Sequence, residues 1–170
     1  MSAPVFLTDP SILAAAQPGA RVSLTGPEGR HAVSVQRLKP GEDVDLVDGA
    51  GRRASGVVAG VRTPDVLDVV VRAVVDERVA APRFVVAQAI AKGEHAELAV
   101  DLMTQVGVDE IIPWQAARSI ARWSGDRAER ARAKWEGAAM QAAKQARRAR
   151  VPRIAPVVDL AALAERVRAA

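Results

Sequence analysis

Four cations crowd into seven residues near the end of a long alanine-rich stretch: Lys144, Arg147, Arg148 and Arg150 in AAMQAAKQARRARVP, residues 138–152. Ammonium and guanidinium groups at this density are suited to holding phosphate or another anion. A helical wheel begun at Asp126, a good N-cap, puts Ala128, Ala131, Trp135, Ala138, Ala139, Ala142 and Ala146 on one thin apolar stripe. Arg130, Lys134, Gln141, Lys144, Gln145 and Arg148 collect on the other side, with Gln145 and Arg148 three apart on one face. Pro152 ends the predicted helix, because the residue before a proline is turned away from helical geometry. Two readings stand. The cations meet a polyanion, or they form a solvated helix end that suits the negative pole of the helix dipole.

The charge is focused. The chain has 170 residues and a formal net charge of +4. Residues 1–80 hold nine basic and ten acidic side chains, whereas residues 117–153 alone hold eleven and three, a net of +8. A patch of this kind favours a polyanionic partner more than a basic average would. There is no cysteine, which excludes disulfides and thiolate metal sites. His31 and His95 are the only histidines and do not sit in a ligand-spaced cluster, so no metal is expected. No run has the length of a membrane span and the first residues do not read as a secretory signal. A cytoplasmic protein with no membrane contact is the expectation.

The elements that must position these residues change character near residue 80. Before it, RVSLTG, VDLVDGAGRRASGVVAGV and VLDVVVRAV read as strands, the middle one folded at Asp48-Gly49-Ala50-Gly51. PEGRHAVSVQRL reads as a short helix with Ala32, Val35 and Leu38 at helical spacing, ended by Lys39-Pro40-Gly41. A small closed β-domain over residues 1–79 follows, with DERVAAPR as a linker. Beyond it, RFVVAQAI, VDEIIPWQ and PRIAPVV read as buried strands. They alternate with helices in GEHAELAVDLMTQVG, where Leu98, Leu102 and Val106 share a face, in the basic stretch, and in DLAALAERVRAA, capped by Asp159. Strand–helix alternation means a parallel α/β sheet over residues 80–170.

GPEGRHAVSVQRLKPGEDVDLVDGAG, then AIAKGEHAELAVDLMTQVGVDEIIPWQAARS, then KWEGAAMQAAKQARRARVP occur in this order. Together they resemble the 16S rRNA uridine-N3 methyltransferases of the SPOUT class. The resemblance covers nearly the whole chain. It implies an N-terminal PUA-like β-barrel that binds RNA, followed by the first, pre-knot part of a SPOUT-type parallel α/β domain. It implies methylation of N3 of a uridine in 16S rRNA of the small ribosomal subunit, with S-adenosylmethionine as donor and a homodimer as the full-length assembly. The chain departs from the family at Leu102, Gln105, Gln141 and Lys144. No glycine-rich cofactor segment follows the third helix, and Gly26-Pro27-Glu28-Gly29 reads as a turn. S-adenosylmethionine is therefore not expected to bind this chain, and no cofactor-binding residue is assigned. The rival readings are a non-catalytic RNA-binding module and a truncated fragment.

The RNA-binding candidates are Arg37 and Lys39 after the short helix, Arg52 after the hairpin turn, and Arg118 beyond a strand, where ligands of open parallel sheets bind. Arg130, Lys134, Lys144, Gln145, Arg147 and Arg148 complete the set. Each is also readable as a solvated surface residue. Trp123 is the best base-stacking candidate, whereas Trp135 on the apolar stripe reads as core. His31 reads as a partly buried, hydrogen-bonded histidine. No catalytic base is identified.

Overall fold

The computed structural model describes residues 3–62 and 64–169. It divides into two compact units, Met1–Val79 with Arg147–Arg150, and Ala80–Ala146 with Val151–Ala170.

The first unit begins with two elements that the sequence pattern does not announce: strand β1 (Val5–Leu7) and a short helix, α1 (Pro10–Ala14). Asp9 caps α1 by accepting from the Ser11 N–H at 2.8 Å. Then come β2 (Arg21–Leu24), α2 (Gly26–Arg30), β3 (Asp43–Val47), β4 (Arg52–Arg62) and β5 (Val66–Asp76). They form one sheet in the order β1-β3-β4-β5-β2, antiparallel except for the β1–β3 pair. The sheet is open among the described residues, since β1 and β2 each pair on one side, and it differs in this from the closed domain the sequence suggests. Alternation delivers the core: Val44, Leu46, Ala54, Val58, Leu67, Val69 and Val71 point inward against Phe6, Leu13, Val22 and Leu24.

Gly26-Pro27-Glu28-Gly29, expected as a turn, is itself the start of α2, with Pro27 in the first helical turn, where its missing N–H costs nothing. Helix α2 runs directly into a π-helical turn over His31–Val35. Ala32 is buried beneath it, His31 meets Phe6 edge-on at 6.0 Å, and Val35 is exposed. Gly29 is required by contact. A Cβ there would lie 2.0 Å from the Asp65 carbonyl oxygen and 2.6 Å from that of Leu24.

The second unit has a three-stranded parallel sheet, β6 (Val85–Ala89), β7 (Glu110–Trp114) and β8 (Arg153–Ile154), in that order. Helices α3 (Glu94–Gln105) and α4 (Asp126–Gln145) pack together over one face. There Ala96, Val100, Val108, Ile111, Trp135, Ala139 and Ile154 form the core. Helix α5 (Leu160–Arg168) is capped by Asp159, whose carboxylate accepts from the Ala162 N–H at 2.8 Å. Ala170, the last residue of that predicted helix, lies outside the described residues. The face of α3 that looks apolar in sequence is the wrong one. Leu98, Leu102 and Val106 are exposed, whereas Ala96, Val100 and Thr104 are inside. Small residues let α3 lie close to α4, and the Thr104 hydroxyl is satisfied by donating to the Val100 carbonyl at 2.8 Å. Among the described residues, no helix is long and apolar enough to cross a membrane.

Two outcomes test this packing. Gly29→Ala should lower the unfolding free energy by about 1–3 kcal/mol, because backbone rather than a movable side chain meets the new methyl group; urea denaturation reads it. Asp68, between β4 and β2, accepts from Arg62 and from the Ser23 hydroxyl, and these bonds hold its carboxyl below the usual range against the opposing effect of burial. A depressed carboxyl contributes stability above its unfolded value of about 3.9 and loses it as pH falls through the folded value. Asp68→Asn should therefore be less stable than the parent at neutral pH, and the gap should close in acid.

Candidate nucleic-acid interface

The basic helix does not run to Pro152. Helix α4 ends at Gln145, Ala146 caps it, and Arg147 turns to a left-handed φ of 55°. Residues 147–150 then belong to the first unit, held to its hairpin. Gly51 N–H donates to the Ala149 carbonyl at 3.0 Å, the Arg53 guanidinium donates to the Arg147 carbonyl at 2.9 Å, and Arg150 donates to the Glu77 carbonyl. Gly51 itself has a φ of 114°, and a Cβ on it would lie 2.5 Å from the Arg150 guanidinium. These hydrogen bonds outweigh the helical preference of the alanine-rich sequence. Gln145 and Arg148 consequently do not share a helix face. Lys144 is corrected too: it is buried, on the inner side of α4, not on the outer cationic face. The alanine stripe is where the wheel places it, with Trp135, Ala139 and Ala142 buried.

Only two non-glycine residues among those described have positive φ: Arg37 and Arg147, each at 55°. Both sit one position past a helix cap, after the π-helical turn in one case and after α4 in the other. Glycine is the usual occupant there, because it pays no Cβ penalty. Both arginines are exposed, and neither makes an ion pair among the described residues. Lys39 is likewise exposed and unpaired two residues after Arg37. Four other arginines of the first unit are committed. Arg52 holds Asp76 through two bonds of 2.8 and 3.0 Å and donates to the Leu13 carbonyl, so its fork is occupied by the fold. Arg53 pairs with Asp45 and Glu77, Arg62 with Asp68, and Arg72 with Asp43.

In the second unit the strands end at a crevice. Ala91, Gly93, Glu94, Glu97, Trp123 and Lys134 line a hollow of about 400 Å³ beyond the carboxyl ends of β6 and β7. Its far wall is the loop 115–125, organised by Gln115, a residue that the sequence does not single out. The Gln115 amide donates to the Ala121 carbonyl and accepts from the Trp123 N–H, each at 3.0 Å. Its only sequence signal is a long polar side chain directly after a buried strand. Arg118, in this loop, is exposed, as are Arg130 and Lys134 one turn apart on α4, and none of the three is ion-paired among the described residues. Arg132, by contrast, is held by Glu129 and Glu136. Trp123 is half-buried, its ring edge-on to Trp135 at 4.9 Å, so part of its surface is spent on the core. Trp114 ends β7 with its indole Nε1 buried and without a partner among the described residues.

Residues 79–170 match the RNA methyltransferase domain family, and residues 24–71 match the RNA methyltransferase PUA domain. The ribosomal RNA small subunit methyltransferase E of Mycobacterium bovis is 40% identical over 150 residues, covering 88% of this chain and 57% of the relative. The protein of the same name from Bacillus subtilis is 29% identical over 145 residues, covering 85% and 57%. The chain thus spans a little over half the length of these curated relatives. A putative methyltransferase of Legionella pneumophila, solved with bound S-adenosylmethionine, superposes with a TM-score of 0.79 at 22% identity, over 100% of this chain and 67% of that one. The Neisseria gonorrhoeae ribosomal RNA small subunit methyltransferase E, also solved with S-adenosylmethionine, gives 0.77 at 23% identity, over 93% and 63%. These likenesses establish a shared fold.

The two tryptophans separate by burial. Trp135→Ala should cost about 3–5 kcal/mol of stability, as a fully buried ring does. Trp123→Ala should cost about 1–2 kcal/mol, the worth of an aromatic pair plus partial burial. Equal losses in urea denaturation would show that Trp123 is core and not part of the interface.

Proposed function

The chain belongs to the RNA methyltransferase family, and on that premise we propose that it is the RNA-holding part of an enzyme that methylates N3 of a uridine in 16S rRNA of the small ribosomal subunit. The observation that carries this reading is the pair of left-handed arginines. A non-glycine residue in that conformation costs about 1 kcal/mol. Glycine would relieve the strain at both positions, so the side chains are kept at the expense of the backbone, and an exposed unpaired guanidinium has phosphate as its natural partner. Lys39 beside Arg37, and Arg118, Arg130 and Lys134 around the crevice, extend the same reading to both units. N3 of uridine is normally engaged in base pairing, so the target must be held unpaired for transfer. Exposed cations that hold phosphates of the strand serve this purpose.

S-adenosylmethionine is the donor this reading requires, and it supplies an electrophilic methyl group. The described residues do not fit it on their own. An adenine needs a flat apolar slot, and the best aromatic wall here is already spent: Trp135 is 2% exposed, covered on one side by Trp123. Two carboxylates, Glu94 and Glu97, line the crevice as well. For this chain by itself, that observation favours the RNA-binding module over the complete enzyme.

Arg37→Gly with Arg147→Gly should hold or raise thermal stability, by up to about 1 kcal/mol per site, while weakening binding to a 16S rRNA fragment. The salt dependence of that binding should become shallower by about one unit of slope per arginine. A double variant that gains stability and binds the fragment with unchanged affinity and slope would sink the proposal.

A further inference from the structure

The second unit carries another concentration of positive charge, away from the crevice. Val86 and Ile111 face the α3–α4 core, so period-two alternation turns Val85, Ala87, Glu110 and Ile112 to the other face of the sheet. Glu110, at the start of β7, has a side chain only 4% exposed. Three guanidiniums converge on it: Arg83 at 2.9 Å on Oε2, Arg153 at 3.3 Å on Oε1, and Arg166 of α5, also on Oε1. Arg153 stands beside Glu110 in the β7–β8 register. One carboxylate neutralises one of these cations and leaves two formal positive charges in excess. The three arginine side chains remain 54%, 63% and 37% exposed, so the excess faces solvent. Next to them, Val85, Ala87, Ile112, Leu163 and Val167 line an aliphatic hollow of about 480 Å³.

We infer that Arg83, Arg153 and Arg166 take a phosphate of an RNA strand at the amino ends of β6, β7 and β8, with the attached nucleoside resting against the aliphatic hollow. The inference rests on the RNA-holding function proposed above and adds a binding point at the end of the sheet opposite the crevice. Glu110 orders three long side chains before any ligand arrives, which lowers the entropy they would otherwise lose on binding. Guanidinium forks match phosphate oxygens two at a time. Among the described side chains that line the hollow, only the arginines and Glu110 can hydrogen-bond a base edge, so binding here is expected to discriminate little between bases.

Fluorescence anisotropy with a short labelled oligouridylate, across a range of salt, tests this with two variants. Glu110→Gln keeps the shape and an accepting oxygen but frees the arginines, and should tighten binding severalfold with a steeper salt dependence. Replacing Arg83, Arg153 and Arg166 by Gln in the Glu110→Gln background leaves no buried charge unpaired. That protein should bind more weakly than the parent, with a slope shallower by about 0.7 for each phosphate it no longer neutralises. An abasic residue placed within the oligomer should weaken binding to the parent and leave the quadruple variant unaffected. If Glu110→Gln changes neither affinity nor slope, the arginines are a structural pin and the inference fails. If the parent binds and the Arg37→Gly, Arg147→Gly protein binds less well while these variants behave as the parent does, this inference alone falls. A parent chain that does not bind the oligomer at all overturns both.

Discussion

The first unit is organised around one guanidinium. Arg53 on β4 donates to Asp45 of β3, to Glu77 just past β5 and to the carbonyl of Arg147. Burial disfavours its charge, and the hydrogen bonds and charges of Glu77 and Asp45 more than compensate, so it is held more firmly protonated than an ordinary arginine. Around it the backbone of 147–150 is stitched to the hairpin by Gly51 and Glu77. The chain must leave helical geometry at Arg147 to make these bonds. The left-handed bend follows from that constraint, and with it an exposed guanidinium whose own carbonyl is pinned.

Sorting the cations by whether a carboxylate holds them is more informative than counting them. Exposed ion pairs such as Arg72–Asp43 contribute at most about 1 kcal/mol each, so their value here is in marking which charges the fold has already used. Arg52, Arg53, Arg62, Arg72 and Arg132 are used in that sense. Arg37, Lys39, Arg118, Arg130, Lys134 and Arg147 have no carboxylate partner among the described residues, and Lys134 lines the crevice.

Much of this architecture is legible in the residues, for physical reasons. Alternating apolar positions fix the faces of β3, β4 and β5, Asp48 to Gly51 turns the chain between β3 and β4, and strand–helix alternation requires the parallel sheet of the second unit. Asp159 is a cap by chemistry alone. Three features are hidden because tertiary contact overrides a local preference. Lys144-Gln145-Ala146-Arg147-Arg148 holds neither glycine nor proline, so nothing local stops α4 at Gln145; only the bonds to the hairpin do. Leu98, Leu102 and Val106 look like a core stripe, yet close packing of α3 on α4 selects Ala96, Val100 and Thr104. Arg52 looks free after a turn until β5 brings Asp76 beside it.

On the proposed function, RNA meets arginines whose charge no carboxylate fully cancels. Side-chain Nε–H resonances of arginine, followed by NMR while a 16S rRNA fragment is added, report on each guanidinium separately. Arg37, Arg118, Arg130 and Arg147 should shift or broaden, whereas Arg52, Arg53 and Arg62 should stay in place. Movement of Arg52, Arg53 and Arg62 with Arg37 and Arg147 unperturbed would overturn the proposal.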